Sequence, residues 1–202
     1  NQLVAWDRPF SAWVYAIVAP LAEDNIWGYH IYLLLLRWIS AVVFFFLVEK
    51  LIPASKPFPF WTAALFLLYP GFRQQPQPLE FILHFTALAF LLGSFWFMTK
   101  AAEANSRYWL FHSIGVVLAF SIFSVEYFIG LELLRPFFLW LVIQKNSKRK
   151  IAGLILKHWV PYMAVLGIYS WWRLFIFKFP TYKPTFLNKS GMDIGNTLFG
   201  LG

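Results

Sequence analysis

Apolar residues form long blocks in this chain, and short polar segments separate the blocks. The block Trp27–Val48 has 22 residues. As a helix with a rise of about 1.5 Å per residue it covers roughly 33 Å, close to the roughly 30 Å of a bilayer core. Leu79–Met98 and Gly153–Phe177 have the same apolar character. The pattern therefore predicts three membrane-spanning helices.

Two further apolar blocks require a turn. Phe60–Tyr69 is short and stops at Pro70-Gly71, where the chain must change direction. Tyr108–Ile143 is apolar over 36 residues, and as one helix of about 54 Å it would overshoot the membrane. We therefore predict a break near Glu126–Gly130 and a hairpin of two spans. The total becomes about six spans, two of them short.

The segment Phe10–Leu21 is too short to span, and we predict that it is an interfacial amphipathic helix. The predicted fold class is an all-α, polytopic helical bundle in the membrane, with short paired spans. Residues 1–26 are an outer loop with the interfacial helix, 27–178 the transmembrane domain and 179–202 a second outer loop. Because the chain begins at Asn1 and stops in a Gly-rich tail, we expect a piece of a longer polypeptide.

The composition agrees with a chain dissolved in lipid, since 60% of the residues are hydrophobic and 13% are charged. Soluble domains carry about twice that charged fraction. The net charge of +8 comes from basic residues at span ends, so we predict no nucleic-acid partner. Cytoplasmic loops carry the lysine and arginine excess. A hairpin brings the following eight basic residues to one side, which predicts a cell-membrane protein whose chain starts on the non-cytoplasmic side: Lys50, Lys56, Lys100, Arg107, Lys145, Lys148, Arg149 and Lys150.

The chain has no cysteine for a disulfide, a thiolate metal site or a nucleophile, so we considered its four histidines as metal ligands. His30, His84, His112 and His158 fall in four different spans, and no two have the spacing of metal ligands. Histidines in membrane helices can ligate haem or chlorophyll, and 24 Phe and 11 Trp would suit a pigment bed. A non-catalytic subunit of a larger, pigment- or haem-containing, energy-transducing complex is therefore an alternative function.

Charged residues inside the apolar blocks are candidate sites, because hydrocarbon tolerates a charge only when it is paired or hydrated. Glu132 and Arg135 lie three residues apart, share a helix face and are predicted to neutralise each other. Arg37 lies seven residues after His30 with no carboxylate in the same span. Structural pairing and substrate contact both stay open for Arg37. Together with the short spans, it leaves a transporter as a third hypothesis.

The predicted outer side gathers acidic and basic groups. A carboxylate that takes a hydroxyl proton, next to cations that bind a phosphate, suits transfer between a polar acceptor and a phosphate-bearing lipid. Asp7 stands out because Pro9, after Arg8, fixes the backbone beside the pair. The charged residues on this side are Asp7, Arg8, Glu23, Asp24, Arg73, Glu80, Glu126 and Arg173.

Three stretches together resemble the early part of GT-C glycosyltransferases of the protein O-mannosyltransferase kind. In that family an outer loop with an acidic residue and an Arg-Pro step leads into a span with Gly-Tyr-His, and a short helix ending in a Tyr-Pro corner follows. The resemblance covers about residues 5 to 100. The stretches are Trp6-Asp7-Arg8-Pro9-Phe10-Ser11, Trp27-Gly28-Tyr29-His30 with its Leu-rich continuation, and Ala63-Ala64-Leu65-Phe66-Leu67-Leu68-Tyr69-Pro70-Gly71.

The resemblance implies transfer of a sugar from a polyprenyl-phosphate carrier to an acceptor on the non-cytoplasmic side, with a divalent metal or no cofactor. The family's base is an aspartate of the first outer loop, and Asp7 is the residue in that loop here. Arg8, Arg37, Arg73 and Arg173 are predicted on charge alone to hold the carrier phosphate. The expected partners are membrane lipid, the polyprenyl-phosphate sugar donor and other membrane subunits.

Overall fold

The protein is described by a computed structural model over residues 9–22, 25–53, 57–69, 78–104, 106–146 and 151–177. Over these ranges it is all-helical, as predicted, and contains no strand. The two 3-10 segments Phe120–Phe123 and Glu126–Leu133 lie between α5 and α6, and a π-helical turn, Trp172–Ile176, follows α7. The seven α-helices of the described ranges are α1 Pro9–Ala22, α2 Ile26–Leu51, α3 Pro57–Leu68, α4 Pro78–Glu103, α5 Tyr108–Ala119, α6 Leu134–Asn146 and α7 Ile151–Trp171.

Capping and proline residues set the ends of the first helices. The Asn25 side chain accepts a hydrogen bond from the Trp27 N–H at 3.0 Å and so satisfies a free donor at the start of α2. At the other end of α2 the Ile52 N–H donates a hydrogen bond to the Val48 carbonyl, and Pro53, which has no N–H to donate, follows. Both α3 and α4 begin at a proline, which is favoured there because its missing N–H would have no partner in the first turn.

Three described helices are long and apolar enough to cross a membrane, namely Ile26–Leu51, Phe81–Glu103 and Ile151–Ile176. They coincide with the first, third and last predicted spans. The other predicted spans are shorter: α3 has 12 residues, α6 has 13, and Tyr108–Phe123 falls below the crossing length. The all-α class is confirmed, whereas a count of six crossings stays a prediction.

Helix ends meet at two opposite ends of the bundle. At the first, which we call the basic end, Lys50 Nζ lies 2.8 Å from Glu103 Oε2, and Lys157 Nζ lies 5.0 Å from the Tyr108 ring centroid. The first contact joins the end of α2 to the end of α4, and the second joins the start of α7 to the start of α5. At the other end, which we call the rim, Glu126 lies beside Arg173. The helices therefore alternate in direction as the predicted hairpin requires.

An α-helix, α1, is present where the interfacial helix is predicted. Its buried face includes Ser11, Val14 and Val18, which pack against α2, α4 and the first 3-10 segment. Its outer face carries Trp13, which is 69% exposed, and Ile17, which is 62% exposed. Ser11, the polar residue of this stretch, points inward, and the interfacial location of α1 stays a prediction.

The predicted break in the 36-residue apolar block is confirmed, and it is wider than expected. Regular α-helix stops at Ala119 and resumes at Leu134, with Val125 in an extended conformation between the two 3-10 segments. The predicted region, Glu126–Gly130, lies inside the second segment. Runs of 3-10 helix longer than about four residues are uncommon and often mark a functional hinge. The break is therefore a candidate functional region.

Candidate functional site

Two irregular helical segments face each other at the rim and bring together three polar side chains. Glu126 begins the second 3-10 segment, and Arg173 lies in the π-helical turn. The Glu126 carboxylate lies 2.9 Å from an Arg173 nitrogen and accepts a hydrogen bond of 3.2 Å from the Tyr169 hydroxyl. We call Glu126, Tyr169 and Arg173 the rim cluster. Short π-helical turns are rare and occur mainly at functional sites. We therefore take the contact between this turn and the second 3-10 segment as the candidate functional site.

The rim cluster keeps both charges accessible. The Glu126 side chain is 42% exposed and that of Arg173 is 24% exposed. The Arg173 guanidinium also lies 4.1 Å from the Phe177 ring centroid, which fixes its position by a cation–π contact. A planar guanidinium held in this way presents several donors to a phosphate or carboxylate. The sequence places both residues on the outer side, but their pairing depends on the packing of α7 against the break.

A narrow cleft, with room for about one water molecule, lies between α4 and the broken hairpin. Its walls are apolar except for a serine hydroxyl and a carboxylate. It runs beside the break that carries the rim cluster. The lining residues are Ala87, Leu91, Ser121, Ile122, Val125, Phe128 and Glu132.

Glu132 and Arg135 form the predicted ion pair, deep in the bundle. Arg135 is fully buried, and its guanidinium donates to both Glu132 carboxylate oxygens. It also donates to the Ser94 hydroxyl at 3.0 Å and contacts the Met98 sulfur at 3.8 Å. We call Ser94, Met98, Glu132 and Arg135 the ion-pair cluster. With the charge neutralised and the donors used, the pair joins α4 to α6 and explains how the apolar block holds two charges.

Two aromatic rings pack against the Arg135 guanidinium. Its central carbon lies 4.4 Å from the Phe95 ring centroid and 4.2 Å from that of Tyr162. The Tyr162 hydroxyl is buried, has no hydrogen-bond partner among the described residues, and abuts Gly115 of α5. Gly115 also accepts a 2.6 Å hydrogen bond from Ser94 at its carbonyl. The close approach of α5 and α7 therefore requires glycine at position 115.

Two of the four histidines form a buried pair, which sequence spacing did not predict. His112 Nε2 lies 2.9 Å from His158 Nδ1, and the rings are stacked at a centroid distance of 5.1 Å. Because these facing nitrogens bond each other, no iron or magnesium ligand position is open between them. His30 packs beside Trp27 at 5.9 Å, and His84 stacks on Tyr127 at 5.6 Å. The histidines thus lie in three separate places.

Arg37 has a structural partner from another helix. Its guanidinium donates to the Leu67 carbonyl near the end of α3, where carbonyl groups lack helical partners and carry partial negative charge. The sequence left structural pairing and substrate contact open for Arg37, and the structure shows a structural pairing. It places Arg37 at the end of a half-length helix rather than in the rim cluster.

Several predicted site residues lie outside the described part of the chain, namely Asp7, Arg8 and Arg73. Glu80 belongs to the first turn of α4, but its side chain is not described. The predicted rim therefore contributes only Glu126 and Arg173 to the described geometry. Across the described ranges, no group of three or more histidine, aspartate or glutamate side chains could hold a metal ion.

Comparisons of this chain with protein-family models, curated proteins and solved structures find no match. The case for a function therefore depends on the residues themselves, and within the described ranges the rim cluster is the exposed meeting point of a carboxylate, a phenol and a guanidinium.

Proposed function

We propose that this protein is a multi-pass membrane glycosyltransferase of the GT-C kind, which transfers a sugar from a polyprenyl-phosphate carrier to an acceptor on the non-cytoplasmic side of the cell membrane. The observation that carries the proposal is the rim cluster, an accessible carboxylate and guanidinium at the end of an apolar bundle. The resemblance of the early chain to that family supplies the type of reaction.

Membrane insertion is supported by the outward faces of the long helices. Leu34, Leu35 and Trp38 of α2 are each more than half exposed, and Ile168 of α7 is 50% exposed. Continuous apolar surface of this kind is rare on soluble monomers and normal on helices that face lipid. Trp171, at 56% exposure beside the rim cluster, suits the aromatic belt at a membrane interface.

The reaction divides naturally between the two charges of such a site. The acceptor hydroxyl attacks the anomeric carbon, a carboxylate takes the hydroxyl proton, and the bond from that carbon to the phosphate oxygen breaks. Asp7 has the role of base through the family resemblance. Arg173 would bind the phosphate that leaves on the lipid, with Arg8 and Arg73 as further cations, and Glu126 holds Arg173 in place.

We expect Arg173→Gln to lower the rate of sugar transfer about tenfold or more, because a charge-assisted contact to a phosphate contributes roughly 1.5–3 kcal/mol. The measurement is release of polyprenyl phosphate by the full chain in vesicles that contain polyprenyl-phosphate-linked hexoses. Lys50→Gln is the matched control, since it removes the cation of the ion pair at the basic end.

Equal loss in both variants would mean that the bundle is merely destabilised. If wild-type protein released no polyprenyl phosphate from mannose, glucose or galactose donors, the glycosyltransferase proposal would be abandoned. Unchanged turnover in Arg173→Gln would remove Arg173 from the phosphate site.

A second experiment tests the orientation, using the absence of cysteine from the sequence. We expect Asn25→Cys, before α2, to react with a membrane-impermeant maleimide on intact cells. Ser106→Cys, between α4 and α5, should react only after permeabilisation, because the basic end faces the cytoplasm in the proposed topology. Reaction of both positions from the same side would contradict the proposed alternation.

A further inference from the structure

The buried face of α7 is unusually rich in groups that bind protons. Among the α7 residues that the structure describes, those buried are His158, Tyr162, Val165 and Tyr169. His158 contacts His112, Tyr162 contacts the Arg135 guanidinium, and Tyr169 contacts Glu126. Buried ionisable groups in membrane helices are costly and often serve proton transfer or storage.

The histidine pair has the geometry to bind a single proton. In the neutral pair, one ring donates its N–H to the lone pair of the other across the 2.9 Å separation. A proton added to the outer nitrogen of the donor ring turns this contact into a charge-assisted bond, which is shorter and stronger. A second proton would place N–H groups on both facing nitrogens, and the contact would break.

A nitrogen is available for the first proton. His112 Nδ1 is buried and makes no hydrogen bond to any described residue, while both rings are more than nine-tenths buried. Imidazole is the side chain whose ordinary titration lies nearest to neutral pH. The pair therefore combines a buried acceptor with a partner ring that can share the charge.

The surrounding groups limit the site to one added charge. From α7, Lys157 approaches along Tyr108 of α5, and the Tyr162 ring lies 5.8 Å from His112. Beyond that ring are Arg135 and its carboxylate partner Glu132, and α4 contributes Lys100 over Trp96. A second proton would put two positively charged rings in direct contact beside Lys157, and charges of the same sign repel strongly at low dielectric.

We propose that His112 and His158 form a buried proton-binding site that takes up one proton and shares it across the Nε2–Nδ1 contact, holding α5 to α7 near the basic end of the bundle. This site is independent of the proposed sugar transfer at the rim. Its ligand is a proton, and its consequence is that α5–α7 packing tightens with the first protonation and loosens with the second.

Nitrogen-15 NMR of histidine-labelled full chain in lipid nanodiscs tests the proposal directly. We expect scalar coupling between the two ring nitrogens through the hydrogen bond. During a titration from about pH 8 to about pH 4, a range around the ordinary histidine value, both rings should shift together in a first step that keeps the coupling. His158→Gln should abolish the coupling and leave His112 to titrate alone. His84→Gln, at the other end of the bundle, should change neither.

Absence of coupling in the wild-type protein at every pH would overturn the proposal without any variant, so a misfolded His158→Gln protein does not weaken the test. Coupling that persists with no proton uptake down to about pH 4 would reduce the pair to a neutral structural contact. Independent single-step titration of the two rings would likewise contradict a shared proton.

Discussion

Replacement of Arg135 by methionine is expected to lower the free energy of unfolding by about 3–5 kcal/mol, because it leaves the buried Glu132 carboxylate without its partner. Glu132 is 5% exposed, and both of its oxygens accept hydrogen bonds from Arg135. The substitution also removes a donor to Ser94 and the cation between the Phe95 and Tyr162 rings. Denaturant titration in mixed micelles, followed by circular dichroism, measures the loss.

The double variant Glu132→Leu/Arg135→Met should recover most of that stability, since removing both charges also removes the cost of burying them. The more exposed counterpart is the pair at the basic end, where Glu103 is 37% exposed and Lys50 is 13% exposed. Lys50→Gln should cost less than about 1 kcal/mol, because the carboxylate that it leaves behind is in contact with water. A double variant as unstable as Arg135→Met alone would show that the pair is needed for packing and not for neutralisation.

Much of the fold could be predicted because long apolar blocks carry a simple length signal. Blocks of about 20 apolar residues predict helices α2, α4 and α7, and the excess length of the 108–143 block predicts its break. The Glu132–Arg135 pair was predictable for a local reason. Residues three apart in a helix lie on the same face, whatever the tertiary structure.

Contacts between helices were not predictable in this way. The contacts of His112 with His158 and of Arg37 with the Leu67 carbonyl depend on how far one helix is shifted along its axis relative to its neighbour. The length of an apolar block does not determine that shift to within several residues. Helix α1 was predicted to be interfacial because the segment is too short to span and is bounded by Pro9 and by Pro20 with Glu23 and Asp24. Its sequence has apolar residues on both faces, and the small polar Ser11 fits the inner one.

The rim cluster, the ion-pair cluster and the histidine pair all contact the buried face of α7. Arg173 lies beyond the end of α7, so one helix connects the rim cluster with the histidine pair. Tyr162 lies between them and contacts the guanidinium of the ion-pair cluster. A change that displaces Tyr162 should therefore affect the centre of the bundle more than its ends.

Gly115→Ala is such a change, and we expect it to destabilise the protein by about 1–3 kcal/mol, the usual cost of overpacking a core. A Cβ at position 115 would collide with the Tyr162 hydroxyl and would lie 3.3 Å from Cζ of that ring. The ring cannot retreat easily, because the Arg135 guanidinium covers one face. The cost should exceed the gain of up to about 1 kcal/mol that alanine normally brings to a helix.

Tyr162→Phe supplies the discriminating second substitution. Alone, it removes a buried hydroxyl that has no partner among the described residues, so its effect should be close to neutral. Combined with Gly115→Ala, it should restore at least about 1 kcal/mol, a coupling that a double-mutant cycle measures in the same unfolding assay. Gly153→Ala and Gly167→Ala are matched controls, because nothing lies within 4 Å of a Cβ at either position. If all three alanine variants behaved alike, or if Tyr162→Phe gave no rescue, the close contact of α5 with α7 at Gly115 would be refuted.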